Sequence, residues 1–487
     1  MRLSSTRKPL IAALAFFVVL SAWSVSSPLG SAADGDHHIS SIWCAWGEKP
    51  GVCEELNRVA TWPTARVPFM FYMDNGRPVE YLRSSELVSH EKMQILRTST
   101  ASQMNLYYRI MRVFVVSSPT LSIILMRLFS SLVAAAMLLL LLVQTRGKIR
   151  HAVLAAWTFV LIPITINYFT AINPRGWAIL GLMSGWAFLQ SFIETPNTDK
   201  NRRIGLGASY LASFALVATC RWDATTNFMV VTLLLLTGNS ILNKRITAMN
   251  VAKYGVGSVL FLMLLRSIPR ISNYLELGHA ASFPTQQFMV FQIVHIPESI
   301  GDVWGYTVGQ QGNGPGIIGL IGVSLFVLAV GFSLQKSSRI QQIMVGSAAL
   351  FTCLVVYRGS TLFDSLVPAT GTYVIGLVSV VVGTSITFST HDLQFMSNQR
   401  NRSTAIALLS ITHMLAFFAW MEFYTRRGEN IGFFAKLSLR DAWWWGRETN
   451  PNMVFLVGAI FFPLFLIFAW KTTDDITPTE LLAPSDC

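Results

Sequence analysis

Two carboxylates and two imidazoles fall within five residues at Asp34-Gly35-Asp36-His37-His38, directly after the first long apolar run of the chain. A carboxylate there has a low-dielectric wall on one side and water on the other, a setting in which its pKa can be tuned for acid or base work. Asp34, Asp36 and His38 are therefore the candidate catalytic residues. The same stretch also suits a solvated juxtamembrane turn, because Asp and Gly favour turns. Asp34-Gly35-Asp36 has, in addition, the Asp-x-Asp form of a divalent-cation site for Mg²⁺ or Mn²⁺, whose further oxygen ligands the sequence does not locate.

The elements that must position these residues are membrane helices. Of 487 residues, 52% are hydrophobic and 13% charged, and the mean hydropathy is +0.48. Soluble domains carry about 25% charge, so this is the composition of an integral membrane protein. The net charge of +12 does not point to nucleic acid, because the basic residues fall mostly in short loops between apolar runs, where they set topology.

The first run, from Pro9 to about Ser27, follows Arg2, Arg7 and Lys8. It reads as a retained first helix; the other reading is a signal peptide cleaved after Ser31-Ala32-Ala33. Both place Asp34 outside. A long polar loop then extends over about residues 28–114, with helical periodicity at 81–88 and again from Met93 to Leu106. Loops of this length are usually functional. Further apolar runs lie near Leu121 to Val143, Ala152 to Thr170, Trp177 to Ile193, Ile204 to Thr219, Asn227 to Leu242 and Val251 to Ile268. Others lie near Gly316 to Leu334, Ile340 to Val356, Leu366 to Thr387, Thr404 to Met421 and Met453 to Trp470, which makes about twelve spans.

Alternate connections are basic: Arg146, Lys148 and Arg150, then Lys200, Arg202 and Arg203, then Lys244 and Arg245, Lys336 and Arg339, Arg400 and Arg402, and Lys471. That asymmetry puts both termini in the cytoplasm. The expectation is an all-α polytopic protein of the cell membrane: a single membrane domain over 1–470, a long helical first external loop and a short cytoplasmic tail over 471–487.

Three arginines join the candidate site. Arg127 lies inside a span, and Arg175 and Arg221 stand in short external turns, where a guanidinium can hold a lipid-linked phosphate bidentately or reach lipid head groups. Cys44 and Cys53 share the first external loop and form either a short disulfide or two separate thiols. The Gly-rich stretch at 303–316 precedes a span and follows no strand, so it is no nucleotide-binding loop; Trp443, Trp444 and Trp445 read as interfacial anchors.

An acidic residue just after helix one, a long first external loop and many short-looped spans together resemble the GT-C superfamily of membrane glycosyltransferases. Within it the chain is most similar to the domain-of-unknown-function 2142 family of bacterial polytopic membrane proteins. That family shows Pro-Asp-Glu-x-x-His after helix one. Here Ala33-Asp34-Gly35-Asp36-His37-His38 keeps Asp34 and His38 at that spacing, with Ala33 and Gly35 replacing Pro and Glu and an acid displaced to Asp36. Leu125-Met126-Arg127-Leu128-Phe129-Ser130, Ile172-Asn173-Pro174 and Trp304-Gly305-Tyr306 resemble later family elements. Gly371-Thr372-Tyr373 carries Thr372 where the family has arginine.

The resemblance implies a polyprenyl-phosphate-linked sugar as donor, an envelope glycan or lipid acceptor, and an inverting transfer on the external face. A loop carboxylate would be the general base, with Arg127, Arg175 and Arg221 on the donor phosphate. The competing class is a transporter or lipid flippase, which a dozen spans fits equally well. Such a carrier has little need of a long folded loop that begins with paired carboxylates.

Overall fold

Three of the long apolar runs become helices by the same local device. A Ser or Asn caps the start and Pro takes the first helical position, where its missing N–H costs nothing. Ser118 caps α4 and accepts from the Leu121 backbone N–H, Asn173 caps α7 and accepts from that of Arg175, and Asn450 caps α13 and accepts from that of Asn452. A computed structural model describes residues 7–26, 35–59, 62–67, 73–74, 77–78, 94–97, 106–161, 163–220, 222–242, 324, 326–328, 330–331, 337–362, 374–388, 399–425 and 450–473.

The membrane part comprises α1 (Arg7–Val25), α4 (Pro119–Gln144), α5 (Gly147–Val160), α6 (Pro163–Thr170), α7 (Pro174–Glu194), α8 (Lys200–Ala218) and α9 (Trp222–Leu242). After these come α10 (Arg339–Leu362), α11 (Ile375–Phe388), α12 (Gln399–Thr425) and α13 (Pro451–Lys471). Among the described residues six helices are long and apolar enough to cross a membrane, or seven if α5 and α6 form one span. The count of about twelve is not reached there. The run at 152–170 breaks where Ile162 precedes Pro163, a position that disfavours helical geometry, and the two pieces diverge by 96°. Of the run at 366–387 the structure describes the part that holds the 14 residues of α11, and the expected span at 251–268 lies outside the described residues, as does most of 316–334.

α1 packs against α4 and α13. Its Phe16 ring sits between Trp157 and Phe465, at centroid distances of 6.3 and 4.8 Å. At one end of the bundle Lys8 donates to the Lys471 carbonyl at 3.3 Å, and Arg150 bridges the carbonyls of Thr145 and Thr472. α7 lies deepest, with Gly181 against α8. A Cβ at Gly181 would meet the Ser213 carbonyl oxygen and Val217 Cγ2, each at 2.5 Å, so the close crossing depends on a residue without a side chain.

At the opposite end the chain between α1 and α4 forms a cap. It holds α2 (Gly35–Trp43), β1 (Glu54–Val59), β2 (Trp62–Val67), β3 (Met73–Asp74), β4 (Arg77–Pro78), β5 (Gln94–Arg97) and α3 (Leu106–Arg112). β1, β2 and β5 form an antiparallel sheet in that order, and β3 pairs with β4. The expectation of a helical loop is corrected here. Residues 94–97 are a strand, with Thr64 opposite Arg97 and Val67 opposite Gln94. There the helical periodicity expected from Met93 to Leu106 is overridden because β2 offers a partner edge that is distant in sequence, and local pattern cannot register such a partner; residues 98–105 lie outside the described residues. The helical pattern at 81–88 lies outside the described residues.

Candidate functional site

The cap brings the first candidate residues onto α2. Asp34 lies outside the described residues, Asp36 falls in the first turn of α2, and His38 follows half a turn later. Ile39, Ile42 and Trp43 are buried beside it, so the apolar face of this short helix is what turns His38 inward. His38 is 7% exposed, and its Nδ1 lies 2.9 Å from the Tyr108 hydroxyl on α3. That bond orients the ring. The His37 ring stands 5.3 Å from that of His38.

α3 is itself anchored to the membrane helices. The Tyr107 backbone N–H donates to the Thr219 carbonyl at the end of α8, at 3.2 Å, and its ring meets Trp177 of α7 edge-on at 5.0 Å. Burial, reinforced by Cys220 and Tyr108, pushes the Tyr107 phenol well above its ordinary pKa, so it stays neutral and can donate a hydrogen bond throughout the physiological range.

Beside this pair, Cys44 and Cys53 are joined by a disulfide with Cα atoms 5.3 Å apart. The link closes a turn that includes Gly47 and Gly51, both at positive φ, and carries Trp46. The Arg112 guanidinium lies 5.2 Å from the centre of the Trp46 ring.

The three arginines are placed differently. Arg127 is 3% exposed, and its Nη1 donates to the Ser24 carbonyl at 2.9 Å. Ser24 Oγ in turn lies 3.0 Å from Ser131 Oγ, which knits the end of α1 to α4. Arg175 is half-buried at the start of α7, its Nη1 3.5 Å from the Tyr168 hydroxyl of α6. Arg221 lies outside the described residues, as do the Gly-rich stretch at 303–316, Gly371 to Tyr373 and Trp443 to Trp445.

Sequence reading did not find Tyr107, Tyr108, Arg112 or Trp46. The one signal available was the four-residue spacing of Tyr108 and Arg112, which places them on one face of a helix. Among the described residues no three His, Cys, Asp or Glu side chains cluster in a way that could hold a metal ion. The chemistry that the described residues of the cap show is that of an imidazole held by a phenol, with an arginine anchoring the end of α1.

A bundle of long apolar helices with a folded cap between its first two long spans defines a multi-pass membrane protein. The chain belongs to the family whose model is described as "Predicted membrane protein (DUF2142)" and matches residues 16–310, which takes in the cap and α4 to α9. Neither a curated protein nor a solved structure matches the chain.

Proposed function

We propose that this protein is a glycosyltransferase of the cell envelope, moving a sugar from a polyprenyl-phosphate donor to a glycan or lipid acceptor on the external face, with both termini cytoplasmic. The observation that carries this reading is the buried His38–Tyr108 pair on a cap that starts four residues earlier with Asp34. In this mechanism Asp34 accepts the acceptor's hydroxyl proton as the oxygen attacks the anomeric carbon and the bond to the donor phosphate breaks. Asp36 and His38 set the charge and orientation of that carboxylate, and the Tyr108 hydroxyl fixes His38. Arg175 and Arg221 stabilise the departing phosphate. Arg127, committed to the Ser24 carbonyl, holds the end of α1 and thereby the start of the cap. Were Mg²⁺ or Mn²⁺ bound, Asp34 and Asp36 would supply two of its oxygen donors.

The test is transfer from a synthetic polyprenyl-phosphate sugar by the purified protein in lipid nanodiscs. Asp34→Asn keeps the shape and removes the basicity, so transfer should fall by about 10²- to 10⁴-fold while donor binding persists. Arg175→Ala and Arg221→Ala should mainly weaken donor binding, because the phosphate is charged in both ground and transition states. Full activity in Asp34→Asn with loss in Asp36→Asn would move the base two residues along. Full activity in both would sink the mechanism.

The break between α5 and α6 favours a second reading, a transporter or lipid flippase, because such proteins build substrate sites from interrupted spans. Movement of a fluorescent lipid across liposomes containing the protein, with no sugar transfer, would select it.

A further inference from the structure

Arg112 poses a question the catalytic proposal does not answer. It is 8% exposed, and among the described residues its guanidinium makes no hydrogen bond and no ion pair, with Nε sealed from solvent. Among the described residues its guanidinium faces the Trp46 ring, 5.2 Å from the ring centre. Nε has lost water without gaining an acceptor, which is costly for a charged group, while the rest of the fork carries its charge with no counter-charge among the described residues. Burial lowers its pKa from the ordinary value, yet an arginine stays protonated.

Trp46 presents the reverse anomaly. It is a large aromatic side chain left 60% exposed, on a turn pinned by the Cys44–Cys53 disulfide. A pinned indole in water next to a cation with no counter-charge among the described residues has the parts needed to bind a ring that carries a negative group. Sugar faces pack on indole, and a guanidinium takes an oxyanion through two parallel N–H bonds.

We propose that Arg112 and Trp46 form a subsite for a sugar bearing an oxyanion, with the indole stacking on the ring and Arg112 holding the anionic group. The oxyanion is a phosphate ester or a ring carboxylate, chemistry that Arg112 treats alike. The subsite deepens the glycosyltransferase reading by naming an acidic sugar as substrate, and rests on that reading for its role in transfer but not for binding.

The experiment is ligand-observed NMR titration of the full-length protein in nanodiscs with glucose 1-phosphate, glucuronate, uncharged glucose and inorganic phosphate. Glucose 1-phosphate or glucuronate should bind more tightly than glucose, and whichever binds tighter assigns the anion. Arg112→Gln should weaken the charged sugar by about 10- to 100-fold. Trp46→Ala, at an exposed position, should weaken the charged sugar several-fold and leave inorganic phosphate unchanged. Should Arg112→Gln fail to accumulate, Arg112→Lys keeps the charge without the fork and should weaken binding by an intermediate factor.

Equal affinity for glucose and its charged counterparts, or wild-type affinity in both Trp46→Ala and the Arg112 variant, would overturn the subsite. Sugar transfer that survives these substitutions unchanged would overturn the subsite's role in transfer and leave the glycosyltransferase standing. Oxyanion-dependent sugar binding without any transfer would keep the subsite and remove the transferase.

Discussion

His38 and Tyr108 are 70 residues apart, and their 2.9 Å contact ties α2 to α3. Tyr108→Phe removes the hydroxyl from a buried imidazole nitrogen, which costs about 1–3 kcal/mol. The expected outcome is a lower thermal midpoint and faster proteolysis within residues 35–118, with helix content retained. Tyr107 makes a different prediction. Its folded pKa lies above the usual phenol value of 10.0. The stability linked to keeping it neutral is therefore fully present below pH 10 and is lost as pH rises toward the folded pKa. In a spectrophotometric titration, the wild-type minus Tyr107→Phe difference should show one phenol ionising above pH 10; a difference midpoint at or below 10 would contradict its burial between α3 and α7.

At the scale of elements, the cap is a small sheet and two short helices, and such pieces need a staple. The Cys44–Cys53 link closes a loop of sequence separation 9, worth roughly 2–3 kcal/mol by the chain-entropy account. Cys53→Ser should lower the thermal midpoint of the full chain under non-reducing conditions, and unreduced peptide mass spectrometry of the wild type should recover the linked pair; free thiols at both positions in native membranes would contradict the bond. Within the bundle, Gly181 sets how closely α7 meets α8. Gly181→Val should cost about 1–3 kcal/mol through forced separation, read as reduced membrane abundance, whereas the same change at Gly346, which has open space around it, should be mild. Helix starts were legible because capping and proline chemistry are local: Asn173-Pro174 and Asn450-Pro451 announce α7 and α13. β5 was not legible, because a four-residue strand exists only through the edge that β2 presents to it.

For the whole molecule, the lysine and arginine asymmetry predicts a definite sidedness. Exposed Glu48 lies on the cap and exposed Lys200 at the opposite end of the bundle. Glu48→Cys should react with an impermeant thiol reagent in intact cells and Lys200→Cys only after permeabilisation; the reverse pattern would put the cap, and the proposed site, in the cytoplasm. What the sequence by itself determined is the membrane class, the position of the long helices and the location of a polar cluster after the first of them, because apolar run length and basic loops act residue by residue through the solvent they prefer. Only the tertiary structure decided that Arg127 is committed to Ser24, that His38 is held by Tyr108, and that Arg112 and Trp46 stand together. Each of those pairings joins segments separated by 66 to 103 residues or rests on a short helix docking onto the ends of α7 and α8, and burial against a distant neighbour leaves no mark in local composition or period.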